Sequence, residues 1–356
     1  MKSLTLSFPA AGAGRLQVID ELRGLAILLV LTYHICGVTG FPNYTHGDIG
    51  VDIFVFLSGT ALALSHRPEE SGWKFLFRRF ARLLPAYWIT LTLFWLGGVY
   101  ILHRPAAPMN VIAHYLCIHE FWGESYFMSF NDSFWFLSLA VLLYGVFTIL
   151  RRWFDRLDIV IGVGFILSFL AAWITFKWNQ PSVFLHLGLR PTLFFVGIPF
   201  GLLLKHGQIK IPVTPWLGLG SIFIIYGLFV TGLLVGYTAA GFSVLFGYFA
   251  MRIHAGDAGE RVLCRRLAWL GTFSYEIYLL HQPLIRDYND YIWRLFKGAP
   301  PSATQTAVGV ALALVLTYEL AQGLAKLGGW IQRKLLGPSR TVNAETSEIR
   351  VNQKLS

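Results

Sequence analysis

Arg23 and His34 lie 11 positions apart in DELRGLAILLVLTYHICG, residues 20–37, a stretch otherwise apolar enough to cross a bilayer. At 100° per residue that spacing is about three turns plus 20°, so both side chains fall on one helix face, roughly 16 Å apart along the axis. A neutral imidazole with a pKa near 6.5 can take a proton from a hydroxyl or carry an acyl group. A guanidinium grips phosphate or carboxylate in two-pronged fashion. The structural alternative is an arginine reaching to lipid headgroups and a histidine bonded to a neighbouring helix. Asp52 opens GVDIFVFLSG at a comparable depth. It suits either a role in orienting His34 or that of an acid favoured at a helix start. Ser58 and Gly59, which follow, suit close helix packing.

Arg78, Arg79 and Arg82 crowd one end of FRRFARLLPAYW. Three guanidiniums suit a multiply phosphorylated ligand, and they equally suit anchoring at the cytoplasmic membrane surface. The stretch GTFSYEIYLLHQPL adds Ser274, Tyr275, Glu276, Tyr278 and His281, and an acid inside a span is costly unless it has a partner or a task. His114, His119 and Glu120 lie in an aromatic-rich segment, 103–132, that would make a reasonable surface for sugars. Histidines at i and i+5 do not share a helix face, so no metal site is expected.

The elements that must position these groups are membrane helices. Of the 356 residues, 55% are hydrophobic and 13% charged, about half the charged share of a soluble domain. The reading is all-α: a polytopic transmembrane bundle with spans near 20–37, 49–65, 83–101, 133–150, 158–176, 190–204, 215–232, 237–251, 267–285 and 304–325. The net charge of +10 then reports orientation rather than nucleic-acid binding. With the N-terminus cytoplasmic, the inner segments carry 23 Lys and Arg and the outer ones 6, which places both termini in the cytoplasm. The basic residues ahead of the first span mimic a signal peptide, but further spans follow, so an uncleaved first helix is expected. Cys36, Cys117 and Cys264 have neither metal-ligand nor disulfide spacing. No repeat or linker divides the chain, which reads as a membrane domain over 1–340 and a short polar tail over 341–356.

Four of these stretches, in order, resemble the acyltransferase-3 family of integral membrane acyltransferases: IDELRGLAILLVLTYH with its Arg-x10-His, GVDIFVFLSG, FRRFARLLPAYW and SYEIYLLHQPL. The resemblance covers nearly the whole chain. It implies transfer of an acyl group, usually acetyl, from cytoplasmic acyl-CoA to a hydroxyl of an extracytoplasmic glycan, by an enzyme of the bacterial inner membrane. Arg78, Arg79 and Arg82 would hold the CoA phosphates, with Arg23 further along the route. His34 would meet the thioester as general base or acyl carrier, with Asp52 beside it. Trp135, Tyr144, Ser274, Tyr275, Glu276, Tyr278 and His281 would line the channel or the substrate. In the segment FWFLSLAVLLYG, Trp135, Leu137 and Tyr144 fit the pattern of many relatives. Ala140 stands where those relatives have glutamate. The additional C-terminal soluble domain of some relatives is not expected here. A rival reading from the same buried charges is a proton-coupled transporter, although the repeated halves and paired broken helices often seen in such folds are missing.

Overall fold

The computed structural model describes residues 14–41, 48–122, 129–178, 190–206, 261–297 and 301–337, together with Gly188 and the strands 3–7 and 208–212. Helix α1 spans Gly14–Thr39, α2 Asp48–Leu64 and α3 Gly72–Tyr100. A short helix, α4 (Pro108–Tyr115), precedes α5 (Trp135–Leu150), α6 (Leu157–Trp178) and α7 (Arg190–His206). The C-terminal part holds α8 (Arg261–Thr272), α9 (Ser274–Pro283), α10 (Asn289–Lys297) and the long α11 (Ala303–Leu336). Five described segments are long and apolar enough to cross a membrane: Gln17–Thr39, Gly72–Tyr100, Asp132–Trp153, Leu157–Ile174 and Ala303–Leu336; Ile49–Leu64 is a shorter apolar helix. The expected spans at 215–232 and 237–251, and the tail 341–356, lie outside the described residues.

Two features depart from the sequence reading. The all-α expectation omits a two-stranded antiparallel ribbon, β1 (Ser3–Ser7) with β2 (Gln208–Pro212), in which Thr5 pairs with Lys210. The 267–285 span is not one helix. The chain bends at Phe273 (φ −107°, ψ 6°) between α8 and α9, and a π turn, Leu284–Tyr288, follows Pro283. Proline has no N–H to continue the ladder, which favours such a local rearrangement.

Helices α2 and α7 run parallel in backbone contact. A Cβ added at Gly59 would collide with the Phe194 carbonyl, and one at Gly197 with the Phe56 carbonyl. The Thr60 hydroxyl, fully buried, is shared between the carbonyls of Phe56 (3.0 Å) and Gly197 (3.1 Å). Lipid gives helices no hydrophobic reason to associate, so small residues that permit close approach do that work. Leu93, Ile149, Phe169, Leu312 and Val315 are exposed on long apolar helices, as expected of surfaces that face acyl chains.

In the described part of the 103–132 connection, residues 114–120 pack back onto α3. His114, His119 and Glu120 are fully buried. The two imidazoles stack with centroids 3.9 Å apart and planes 7° apart. The Tyr87 hydroxyl donates to the His114 carbonyl (2.9 Å), and the Trp88 indole N–H donates to that of Tyr115 (3.0 Å). Burial pushes His114 down to about 4 and the Cys117 thiol up to about 12.

Two outcomes follow from this packing. Gly197→Ile should separate α2 from α7 and destabilise the protein by on the order of 2–3 kcal/mol, seen as a lower thermal unfolding midpoint in detergent; an unchanged midpoint would refute the contact. His114 binds its proton more weakly folded than unfolded, where a histidine titrates near pKa 6.5. Stability should therefore fall as pH drops from about 6.5 towards 4, by up to about 1.4 kcal/mol per pH unit for one proton. In His114→Phe that component of the pH slope should vanish; a slope identical to wild type would assign it elsewhere.

Candidate active site

A cavity of ≈ 380 Å³ lies among α1, α2, α3, α5, α8 and α9, near the N-terminal ends of α1 and α9. From α1 it receives Asp20 and Arg23, an i,i+3 ion pair at 2.9 Å. From α3 it receives Arg79 and Arg82. Arg79 is buried, donates to the Ser65 hydroxyl, and holds its guanidinium over the rings of Phe75 (5.4 Å) and Tyr144 (5.8 Å). Arg82 is exposed and has no ion pair among the described residues. Arg78 is not in this wall. It points to Glu70, with Nε and Nη2 donating to the two carboxylate oxygens at 3.0 and 2.5 Å.

The bend at Phe273 brings the first turn of α9 into the same wall, with Ser274, Tyr275, Glu276 and Tyr278. The Ser274 hydroxyl donates to the Gly271 carbonyl and that of Tyr275 to the Leu83 carbonyl, each at 2.8 Å. Glu276 occupies the first turn of α9, where the helix dipole favours an acid. A new helix start inside the sequence-predicted span thus accounts for a carboxylate there. Tyr144 and Ala140 come from α5, so the position where many relatives carry glutamate faces the arginines.

A second cavity, ≈ 520 Å³, opens beyond His34 and is walled also by Gln282, Arg286, Asn289, Asp290 and Thr306. Three rings separate the two spaces. Tyr278, in the arginine cavity, has its ring centroid 5.7 Å from that of His281, and His281 lies 4.9 Å from His34. His281 is fully buried, with Nδ1 2.9 Å from the Tyr278 carbonyl and 3.2 Å from that of Ile277. Behind the second cavity, Gln282 accepts from Ser133 (2.6 Å) and donates to Asp132 (2.9 Å), while Arg286 donates to Asp132 at 2.5 Å.

Asp52, near the start of α2, is held in a buried ion pair. Its carboxylate accepts from Arg190 Nε at 3.0 Å, with both side chains 5% exposed, and the Arg190 guanidinium lies 4.7 Å over the Trp135 ring. Trp135 thereby belongs to this ion-pair cluster rather than to either cavity wall. In the sequence, Arg190 is one of the six outer Lys and Arg residues. The signal was available, because an arginine opening an apolar helix needs a partner and Asp52 was a similarly placed acid.

The acyltransferase-3 family, described as an acyltransferase domain, matches residues 16–321. The chain is 28% identical over 313 residues to a peptidoglycan O-acetyltransferase of Listeria monocytogenes, covering 75% of this chain and 49% of that protein. It is also 28% identical over 357 residues to the acyltransferase MdmB of Streptomyces mycarofaciens, covering 87% of this chain and 89% of the other. The chain thus spans about half the length of the Listeria relative. No solved structure matches.

Asp52→Ala should remove the carboxylate partner of the buried Arg190 charge and cost about 3–5 kcal/mol, read as thermal unfolding in detergent. Asp52→Leu combined with Arg190→Met should recover most of that loss. If the single change leaves the midpoint unaltered, the pair is not a structural clamp.

Proposed function

Because the chain belongs to the acyltransferase-3 family, we propose that it is a membrane O-acyltransferase that moves acetyl from cytoplasmic acetyl-CoA to a hydroxyl of an envelope glycan on the far side of the inner membrane. The observation that carries this reading is the pair of cavities, one lined by arginines and one by polar groups, that meet at Tyr278, His281 and His34. Peptidoglycan, the acceptor in the name of the Listeria relative, is the leading glycan. The 23-to-6 charge asymmetry supports cytoplasmic termini, and the apolar stretches of the sequence support a bundle of about ten spans.

CoA phosphates do not enter hydrocarbon, but the thin pantetheine arm can follow a protein-lined path. Arg23, Arg79 and Arg82 suit the phosphates, since charge-assisted two-pronged contacts are the strong ones. Arg82, free of ion pairs among the described residues, is the side chain best able to move onto a ligand, whereas Arg78 is occupied by Glu70. The thioester then lies near the three rings. His34 takes the proton of an acceptor hydroxyl in the second cavity, the oxygen attacks the thioester carbonyl, and the C–S bond breaks. The proton passes to the departing thiolate, so CoA leaves as thiol and the glycan as ester. Metal plays no part in this scheme.

The test is [14C]acetyl-CoA consumption and transfer to chitotriose by purified protein in proteoliposomes. His34→Ala should lower turnover by on the order of 10²- to 10⁴-fold while CoA binding persists. Arg82→Glu should weaken CoA binding about tenfold or more, and Arg78→Glu should weaken it far less. Normal turnover by folded His34→Ala protein would end this reading. So would substrate-stimulated proton flux without acyl transfer, the outcome a transporter gives.

A further inference from the structure

We infer that His281 is the positioning residue for His34, its Nε2 accepting the hydrogen of the proton-bearing His34 ring nitrogen during acyl transfer. This rests on the acyl-transfer reading above for the reaction, but on geometry for the pair. The Nδ1–H of His281 is committed to the carbonyls of Tyr278 and Ile277 on its own helix. In neutral imidazole the other nitrogen is then a bare acceptor. That Nε2 atom is buried and has no hydrogen-bond partner among the described residues, and the side chain is 0% exposed. A buried acceptor left unmet disfavours folding, so a transient partner gives it a reason to persist. The ring nearest to it with a proton to offer is His34, at a centroid separation of 4.9 Å and a 60° tilt. Bonds of this kind are commonly long before substrate binds and tighten afterwards.

The arrangement does what a carboxylate does behind a catalytic imidazole, fixing its tautomer and stabilising its cation. It does so without a second charge at membrane depth, where an anion would itself need a partner. Asp52, the acid the sequence offered for this role, is clamped by Arg190. When His34 takes the hydroxyl proton on its bare nitrogen, His281 gains and loses no proton. Its lone pair holds the resulting imidazolium until the thiolate sulfur takes the proton and the C–S bond has gone.

The test compares His281→Gln with His281→Met in proteoliposomes, using acetyl-CoA and chitotriose. The two replacements have similar volume, but only glutamine presents a hydrogen-bond acceptor of comparable strength. Methionine should lower kcat on the order of 100-fold, leave KM for acetyl-CoA within about twofold of wild type, and move the acid limb of the kcat profile to lower pH. Glutamine should restore at least about tenfold of the loss. Equal kcat and unshifted pH profiles for the two variants would reduce His281 to packing. The second measurement needs neither variants that fold nor activity: in 15N-histidine-labelled wild-type protein, the His281 Nε2 signal should move as His34 titrates. A His281 signal indifferent to His34 overturns the inference even where acyl transfer stands. Absence of acetyl-CoA turnover in wild type would sink the acyl-transfer reading while the 15N result still decided the pair.

Discussion

The backbone contact between α2 and α7 is the constraint on which the rest depends. With no side chain at Gly59 or Gly197, two parallel helices approach until carbonyls and a threonine hydroxyl meet. That fixes their register, and the register sets Asp52 opposite Arg190 near the helix starts. A buried ion pair is weak evidence of net stability, but a slip by one turn would pull these two buried charges apart. The Trp135 ring under the guanidinium ties α5 into the same clamp. Tyr144, farther along α5, then reaches Arg79 and the arginine cavity.

The second organising feature is the bend at Phe273. A continuous helix through this segment would have no free N-terminus to favour Glu276. The break instead sends Ser274, Tyr275, Glu276 and Tyr278 into the arginine cavity, while His281, farther along α9, meets His34. One short helix therefore contributes to both sides of the partition. The partition is thin, three aromatic rings in sequence.

Much of this was legible because membrane depth makes polar residues informative. Arg23, His34, Arg79, Arg82 and the α9 residues all stood out against apolar surroundings, and the structure sets them in and between two neighbouring cavities. What escaped is what periodicity does not encode. Nothing in the one-dimensional pattern assigned Arg78 to Glu70, because ion-pair choice depends on which elements are neighbours; for Asp52 and Arg190 the sequence offered an acid and a base near two helix starts, but not that those helices touch. Nor did the Tyr275–Glu276 run announce a new helix start, since Phe273 carries no conventional stop signal such as glycine. The buried His114–His119 stack looked like a polar surface because a connection was assumed to face water, whereas this one returns to α3.

The ribbon that joins Ser3–Ser7 to Gln208–Pro212 has a consequence of parity. Backbone hydrogen bonds cannot straddle a bilayer, because open strand edges find no partners in hydrocarbon. The two strands must lie on one face, so the number of crossings made by the chain between Ser7 and Gln208 is even. A helix in that interval that failed to insert would carry β2 to the opposite face from β1, and the pairing could not form. The ribbon closes only on a chain whose crossings in that interval are even in number, a parity check written in five residue pairs.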